Sequence, residues 1–282
     1  MTVIWERCDA LPRDFRIGRR LIRVSRVAVG GRSSMFRMLK LNPPNGWRAV
    51  VWELSIVTLG VLIALAAQQW VEDRSWRQKA GDARIALREE LRATHYRAVE
   101  WRVVEPCIQA QLDRLEKRVV TTGNRLEPAP IFRDRFGQFN LRTPGRNFIN
   151  SVWASVIDEG ISSRLASEER QGLAAQYHES DYMGELGRQM RSRVTSLMSL
   201  SRPLELDPAI KLSLLQTIDQ VRGNAADMAI IASYMVGRSQ QLNVSPKSGE
   251  IGQFIEESGT FKFCRSQNLP TLPLVEATRP PQ

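Results

Sequence analysis

Histidine is nearly absent from this sequence, with His95 and His178 the only two in 282 residues. Neither belongs to an H-E-x-x-H or a Glu-x-x-His arrangement, so zinc hydrolase and di-iron bundle readings lack their ligands. Also missing are G-x-x-x-x-G-K-[ST], G-x-G-x-x-G and G-x-S-x-G, the patterns that cradle phosphates or present a nucleophile. Asp158 and Glu159, just before Gly160, offer a carboxylate pair at a helix end, and a solvated helix end accounts for them better. The sequence therefore nominates no catalytic residue, no cofactor-binding residue and no metal ligand set, and it argues against an enzyme.

Acidic residues are scarce in one place only. Residues 1–48 hold eleven Arg and Lys against three acids, while residues 49–282 hold twenty-nine against twenty-seven. The net charge of +10 thus sits almost wholly before a single hydrophobic run. That loading follows the positive-inside rule for a cytoplasmic flank rather than a nucleic-acid surface, and no nucleic-acid partner is expected.

The run itself covers residues 49–71, AVVWELSIVTLGVLIALAAQQWV. Its first nineteen residues contain one charge, Glu53, and as a helix would extend about 28 Å, close to the hydrocarbon thickness of a bilayer. Trp47, Trp52, Trp70 and Trp76 flank its two ends, where interfacial aromatics gather. The expectation is a transmembrane helix over 49–71 with the N-terminus inside. Glu53 lies one turn within the cytoplasmic end, near enough to reach the headgroups. It also shares roughly one helical face with Gly60, Ala64 and Gln68. Gly60 and Ala64 form a small-xxx-small pair that lets a second helix approach closely. This stripe is the candidate helix–helix contact, toward a second copy or another membrane protein.

Residues 1–34 have two readings. Arg16, Arg19, Arg20, Arg23 and Arg26 share much of one face, as in an amphipathic helix on anionic lipid. The favoured reading is a misassigned start, since Met35 and Met38 both open a short cytoplasmic segment. Of the three cysteines, Cys8 is on the basic side, and Cys107 and Cys264 lie beyond the run. If the run spans, these two are in an oxidising compartment and can pair with each other. The bridge would restrain the unfolded chain by roughly 4–5 kcal/mol. Two separate buried thiols are the alternative.

Beyond the run, residues 72–268 read as a helical domain and 269–282 as a disordered Pro-rich tail. One helix is expected from residue 72 to Glu105, ended or kinked by Pro106, and another over 107–120. Residues 131–143 read as a short extended pair before the Pro144-Gly145 turn. Asn147 is expected to cap a short helix stopped by Gly160, and Ser167 to cap a long one reaching about Leu200. Asp207-Pro208 starts the next, and a last short helix falls around 249–257. Phe148 and Trp153 are expected to dock the short helix on the bundle. Arg142, Arg146 and Arg164, which flank it, form at most a weak anion-site candidate. The fold class is mainly α, one N-terminal transmembrane helix followed by an extracytoplasmic bundle.

The stretch WELSIVTLGVLIALAAQQWVE at 52–72 resembles a family of uncharacterised bacterial proteins. Their N-terminal helix carries a Glu, then a Gly-Val/Ile-Leu-Ile-Ala-Leu segment, and ends in Gln/Asn-Gln/Asn-Trp. LNPPN at 41–45, VVEPC at 103–107 and SRPLELDP at 201–208 resemble it as well, whereas residues 1–34 do not. The resemblance implies a bacterial inner-membrane protein with a periplasmic helical domain, and it carries over no catalytic residue. Two functions fit: a membrane-anchored interaction or scaffold module, or a ligand-sensing domain acting through a partner, with recognition around 131–165. No cofactor is expected, and the partners expected are the lipid bilayer and another helix within it.

Overall fold

The computed structural model describes residues 46–134 and 137–280. The basic segment and the expected leader therefore lie outside the described residues, except for 46–48 at the start of the first helix. The chain divides into two units, Met1–Gly60 and Val61–Gln282. The described part of the first unit is helical throughout.

Helices dominate. The first, α1, is assigned over Gly46–Thr121. After it come β1 (Arg125–Leu126), the hairpin β2 (Phe132–Asp134) and β3 (Gly137–Phe139), and α2 (Ser151–Asp158). The long helices α3 (Ser167–Leu197) and α4 (Pro208–Gln241) follow, with β4 (Leu204–Glu205) between them. The short helices α5 (Ser248–Glu257), α6 (Gly259–Ser266) and α7 (Leu274–Ala277) close the chain.

Within the second unit α1 enters the core at Ala80, and its buried residues then recur at helical spacing: Ala83, Leu87, Leu91, Ala98, Ile108, Leu112, Leu115 and Val119. α3 and α4 pack against each other antiparallel, with Gln176 Nε2 donating to Ser239 Oγ near one end and Arg193 Nε to Gln220 Oε1 near the other. Arg222 on α4 pairs with Asp113 at 2.6 Å and Glu116 at 2.5 Å, joining α4 to the late turns of α1.

Several local expectations meet a different outcome. Pro106 does not end its helix; α1 runs through it. Packing outweighs the lost hydrogen bond here, because Val103, Val104, Cys107 and Ile108 around it are all buried. The carbonyl of Val103 also accepts from the Leu272 backbone N–H at 2.9 Å, so a remote segment serves the backbone beside the proline. Asn147 does not cap α2. Asn150 holds that position, and Asn147 Oδ1 accepts instead from Arg191 at 2.8 Å. Ser167 is the first residue of α3, after Ala166. α6 was not expected; Ser258 starts it by accepting from the Phe261 N–H at 3.2 Å.

The tail expected to be disordered is folded at least over 269–280. α7 lies there, Ala277 is fully buried, and Arg102 donates to the carbonyls of Ala277 at 2.7 Å and Arg279 at 2.5 Å. A proline-rich composition hid contacts that depend on α1. Other expectations are met. β2 and β3 form an antiparallel hairpin with Phe132 opposite Phe139. Gly160, at φ +71°, follows α2, and Asp207 Oδ1 accepts from Ile210 N–H at 2.7 Å to start α4 behind Pro208.

Candidate functional site

Glu53, Gly60, Ala64 and Gln68 all lie on α1 and all are exposed. A methyl group added at Gly60 would meet nothing within 4 Å among the described residues. Around them Leu54, Ile56, Val57, Leu59, Leu62 and Ile63 are 54–65% exposed. An 18-residue window of this helix has mean hydropathy 2.2, none of it buried within the protein. By length and composition it can cross a membrane. Ser55 and Thr58 turn their hydroxyls back onto the carbonyls of Val51 and Leu54, at 2.7 and 2.8 Å, which hides their polarity inside the helix.

Cys107 and Cys264 are joined in a disulfide with Cα atoms 5.9 Å apart. Both are fully buried. The bond ties α6 to α1 one residue beyond Pro106, and the Cys107 sulfur also accepts from Gln111 Nε2 at 3.4 Å.

Buried polar groups on α1 hold the irregular segment between β3 and α3. Glu90 takes three donors: the Tyr177 hydroxyl at 2.8 Å, Ser151 Oγ at 3.1 Å and the Val152 backbone N–H at 3.1 Å. Since Asn150 makes no side-chain cap bond among the described residues, the Glu90 carboxylate takes that place from a different helix. Burial, and then the bond to Glu90, raise the pKa of the Tyr177 phenol. Trp153 stacks on the Tyr177 ring at 5.4 Å, which docks α2.

Further along α1, Gln111 clamps the loop by donating to the Arg142 carbonyl at 3.1 Å and accepting its N–H at 2.7 Å. Glu100 is buried and accepts from Ser258 Oγ at 2.5 Å. Burial raises its carboxyl pKa, against the pull of Ser258, Arg146, Arg142 and Arg97. Two of the three arginines considered from the sequence, Arg142 and Arg146, thus act on the charge of Glu100, while their guanidinium groups lie over the Phe139 and Phe254 rings at 4.8 and 4.2 Å. Arg164 does not join them; it lies over the Trp76 ring, 5.4 Å away, and 4.0 Å from Asp73.

His178 is exposed, while His95 is 1% exposed with neither ring nitrogen partnered among the described residues. Burial pushes its pKa down to about 4, so at neutral pH it is an uncharged packing residue. Asp158 and Glu159 are exposed at the end of α2. Among the described residues no group of three or more His, Cys, Asp or Glu could hold a metal ion. The stations at Glu90, Glu100 and Gln111 escaped the sequence reading. Each is an ordinary polar residue in a helical pattern, and only its partners, 31 to 158 residues away, reveal its role.

No protein-family model, curated protein or solved structure matches this chain.

Proposed function

We propose that the protein is a membrane-anchored helical interaction module of a bacterial inner membrane. Residues 49–71 span the bilayer with the N-terminus in the cytoplasm, and the helical domain is periplasmic. The observation that carries this reading is the exposed apolar stretch of α1, with tryptophans at its ends. Burying a Leu, Ile or Val side chain gains roughly 1.5–3 kcal/mol, so water is a poor surrounding for so many of them together. The one-sided positive charge sets the direction. A Cys107–Cys264 bridge fits an oxidising compartment. Within the bilayer, Glu53, Gly60, Ala64 and Gln68 form the stripe that meets a second helix. The reading gives the chain no catalytic role.

Two measurements test it. A reporter active only outside the cytoplasm, fused after Gln282, should be active; activity of a cytoplasm-only reporter at that position would sink the orientation. Cross-linking in cells and purification in mild detergent should recover a second copy or a stoichiometric membrane partner, lost in Gly60→Ile/Ala64→Ile. Recovery of unpartnered protein, with no effect of the double variant, would remove the stripe.

A further inference from the structure

A cleft of about 400 Å³ opens in the second unit between the last turns of α1, the β2–β3 hairpin and α6. That is within the range of small-molecule sites, ~300–1,000 Å³. Its chemistry is divided. The apolar side consists of Phe132 and Phe263, whose rings meet edge to face at 4.9 Å, with Leu115 and Leu269 beside them. Phe139 backs the pair, 5.5 Å from Phe263. The other side is cationic. Arg114, Lys117 and Arg118 line the cleft from one face of α1, at spacings of three and one.

No carboxylate neutralises these three cations among the described residues. Arg114 and Lys117 make no ion pair there. Arg118 donates only to the carbonyls of Glu127 and Pro128, both at 2.8 Å, and its Nε has no partner there. The acid on the same turn, Glu116, is engaged with Arg222 on α4. Asn140 also lines the cleft. It is 5% exposed and donates to the Leu197 carbonyl at 2.6 Å, yet its Oδ1 has no acceptor role among the described residues.

We propose that this cleft binds a small aromatic anion, its ring against Phe132 and Phe263 and its carboxylate at Arg114, Lys117 and Arg118. An aromatic body suits the ring edges, and a single carboxylate suits a cationic wall that lacks its own counter-charge. A neutral aromatic would leave that wall unpaired, and a polyanion would have to set further charge against the phenylalanines. The cleft joins segments that are far apart in sequence, and its occupant would hold the hairpin and α6 against α1.

The test uses the full chain in lipid nanodiscs, with empty nanodiscs as the reference. Isothermal titration with 2-naphthoate should show saturable one-site binding, and 2-naphthalenemethanol, its neutral counterpart, should bind at least tenfold more weakly. In Arg114→Glu/Lys117→Glu, two exposed positions, the naphthoate affinity should fall at least tenfold with the melting temperature unchanged. A milder Lys117→Gln should lose about threefold. Absence of saturable binding above the empty nanodisc would overturn the proposal. So would equal affinity for acid and alcohol, or an affinity indifferent to the charge reversal.

Discussion

α1 contains two apolar stretches in opposite circumstances. Over 50–67 the apolar residues occupy every side of the helix and stand exposed. From Ala80 to Val119 they recur on a stripe, and Leu91, Val99, Ile108 and Leu112 are 0–1% exposed. The polar residues differ as sharply. In the first stretch Ser55 and Thr58 bond their own helix, whereas in the second Glu90, Glu100 and Gln111 bond other elements. A helix that is apolar all round needs an apolar surrounding, and one with a stripe brings its surrounding with it. The two stretches therefore teach which part of α1 the protein's own core covers and which part it leaves exposed and apolar enough to cross a membrane.

The largest effect should come from placing an arginine in each stretch. Ile108→Arg buries an unpaired charge in the core and should leave no cooperative thermal transition by circular dichroism. Leu62→Arg/Ile63→Arg should leave the melting of the helical domain unchanged. Each arginine instead costs about 2.5–3.5 kcal/mol of insertion, read as a shift from the membrane to the soluble fraction. Equal tolerance at both places would break the comparison.

Next in size is the disulfide. Cys107→Ala/Cys264→Ala should lose roughly 4–5 kcal/mol in denaturant unfolding, because the bridge closes a loop of 157 residues. Membrane association should be unaffected. A loss under 1 kcal/mol would mean that α6 holds to α1 without it.

His95 gives a pH-dependent contrast within the core stretch. Its folded pKa of about 4 lies below the ordinary value of 6.5, so the unfolded chain binds the extra proton between these values. The stability it permits is full above pH 6.5 and falls by roughly 3 kcal/mol as pH drops to about 4. Glu100, raised by burial, works in the opposite sense, so the wild type is best compared with His95→Leu. That variant should show a flatter stability profile between pH 4 and 6.5, and an unchanged slope would sink the assignment.

Smaller again is Tyr177→Phe, which removes one of three donors to Glu90 and should cost about 1.5–3 kcal/mol. Hydrogen exchange should rise first in α2, whose N-terminus Glu90 holds. The smallest effect should be at Arg84 and Glu169, a pair at 2.8 Å with side chains 38% and 31% exposed. The bond lowers the Glu169 carboxyl pKa, but solvent screening leaves at most about 1 kcal/mol in a double-mutant cycle.

The legible features were those whose cause is local. Asp207-Pro208 supplies its own cap and its own fixed φ, and Gly160 supplies a left-handed residue where α2 ends. The β2–β3 hairpin is read from neighbouring residues. The illegible ones depend on distant partners. Pro106, expected to end or kink its helix, does not end it, and the proline-rich end should fray but packs through Leu272, Ala277 and Arg279 on α1. β1 pairs with β4 across 80 residues in register Arg125↔Glu205, with no mark in either segment. The candidate stripe on α1 could be read because helical spacing alone defines it. The basic-aromatic cleft could not, since its rings and cations come from three separate segments.

Sequence by itself determined that the chain is mainly helical, that residues 49–67 are long and apolar enough as a helix to cross a membrane, and where the chain turns sharply. Those properties follow from side-chain transfer energies and backbone preferences, which act within a few residues. Only the tertiary structure decided that α1 continues past Pro106, that Glu90 caps a helix it does not belong to, and that Phe263 faces Phe132 beside Arg118. Such choices are made by packing energy summed over contacts between distant segments, and that sum exists only once the chain has folded.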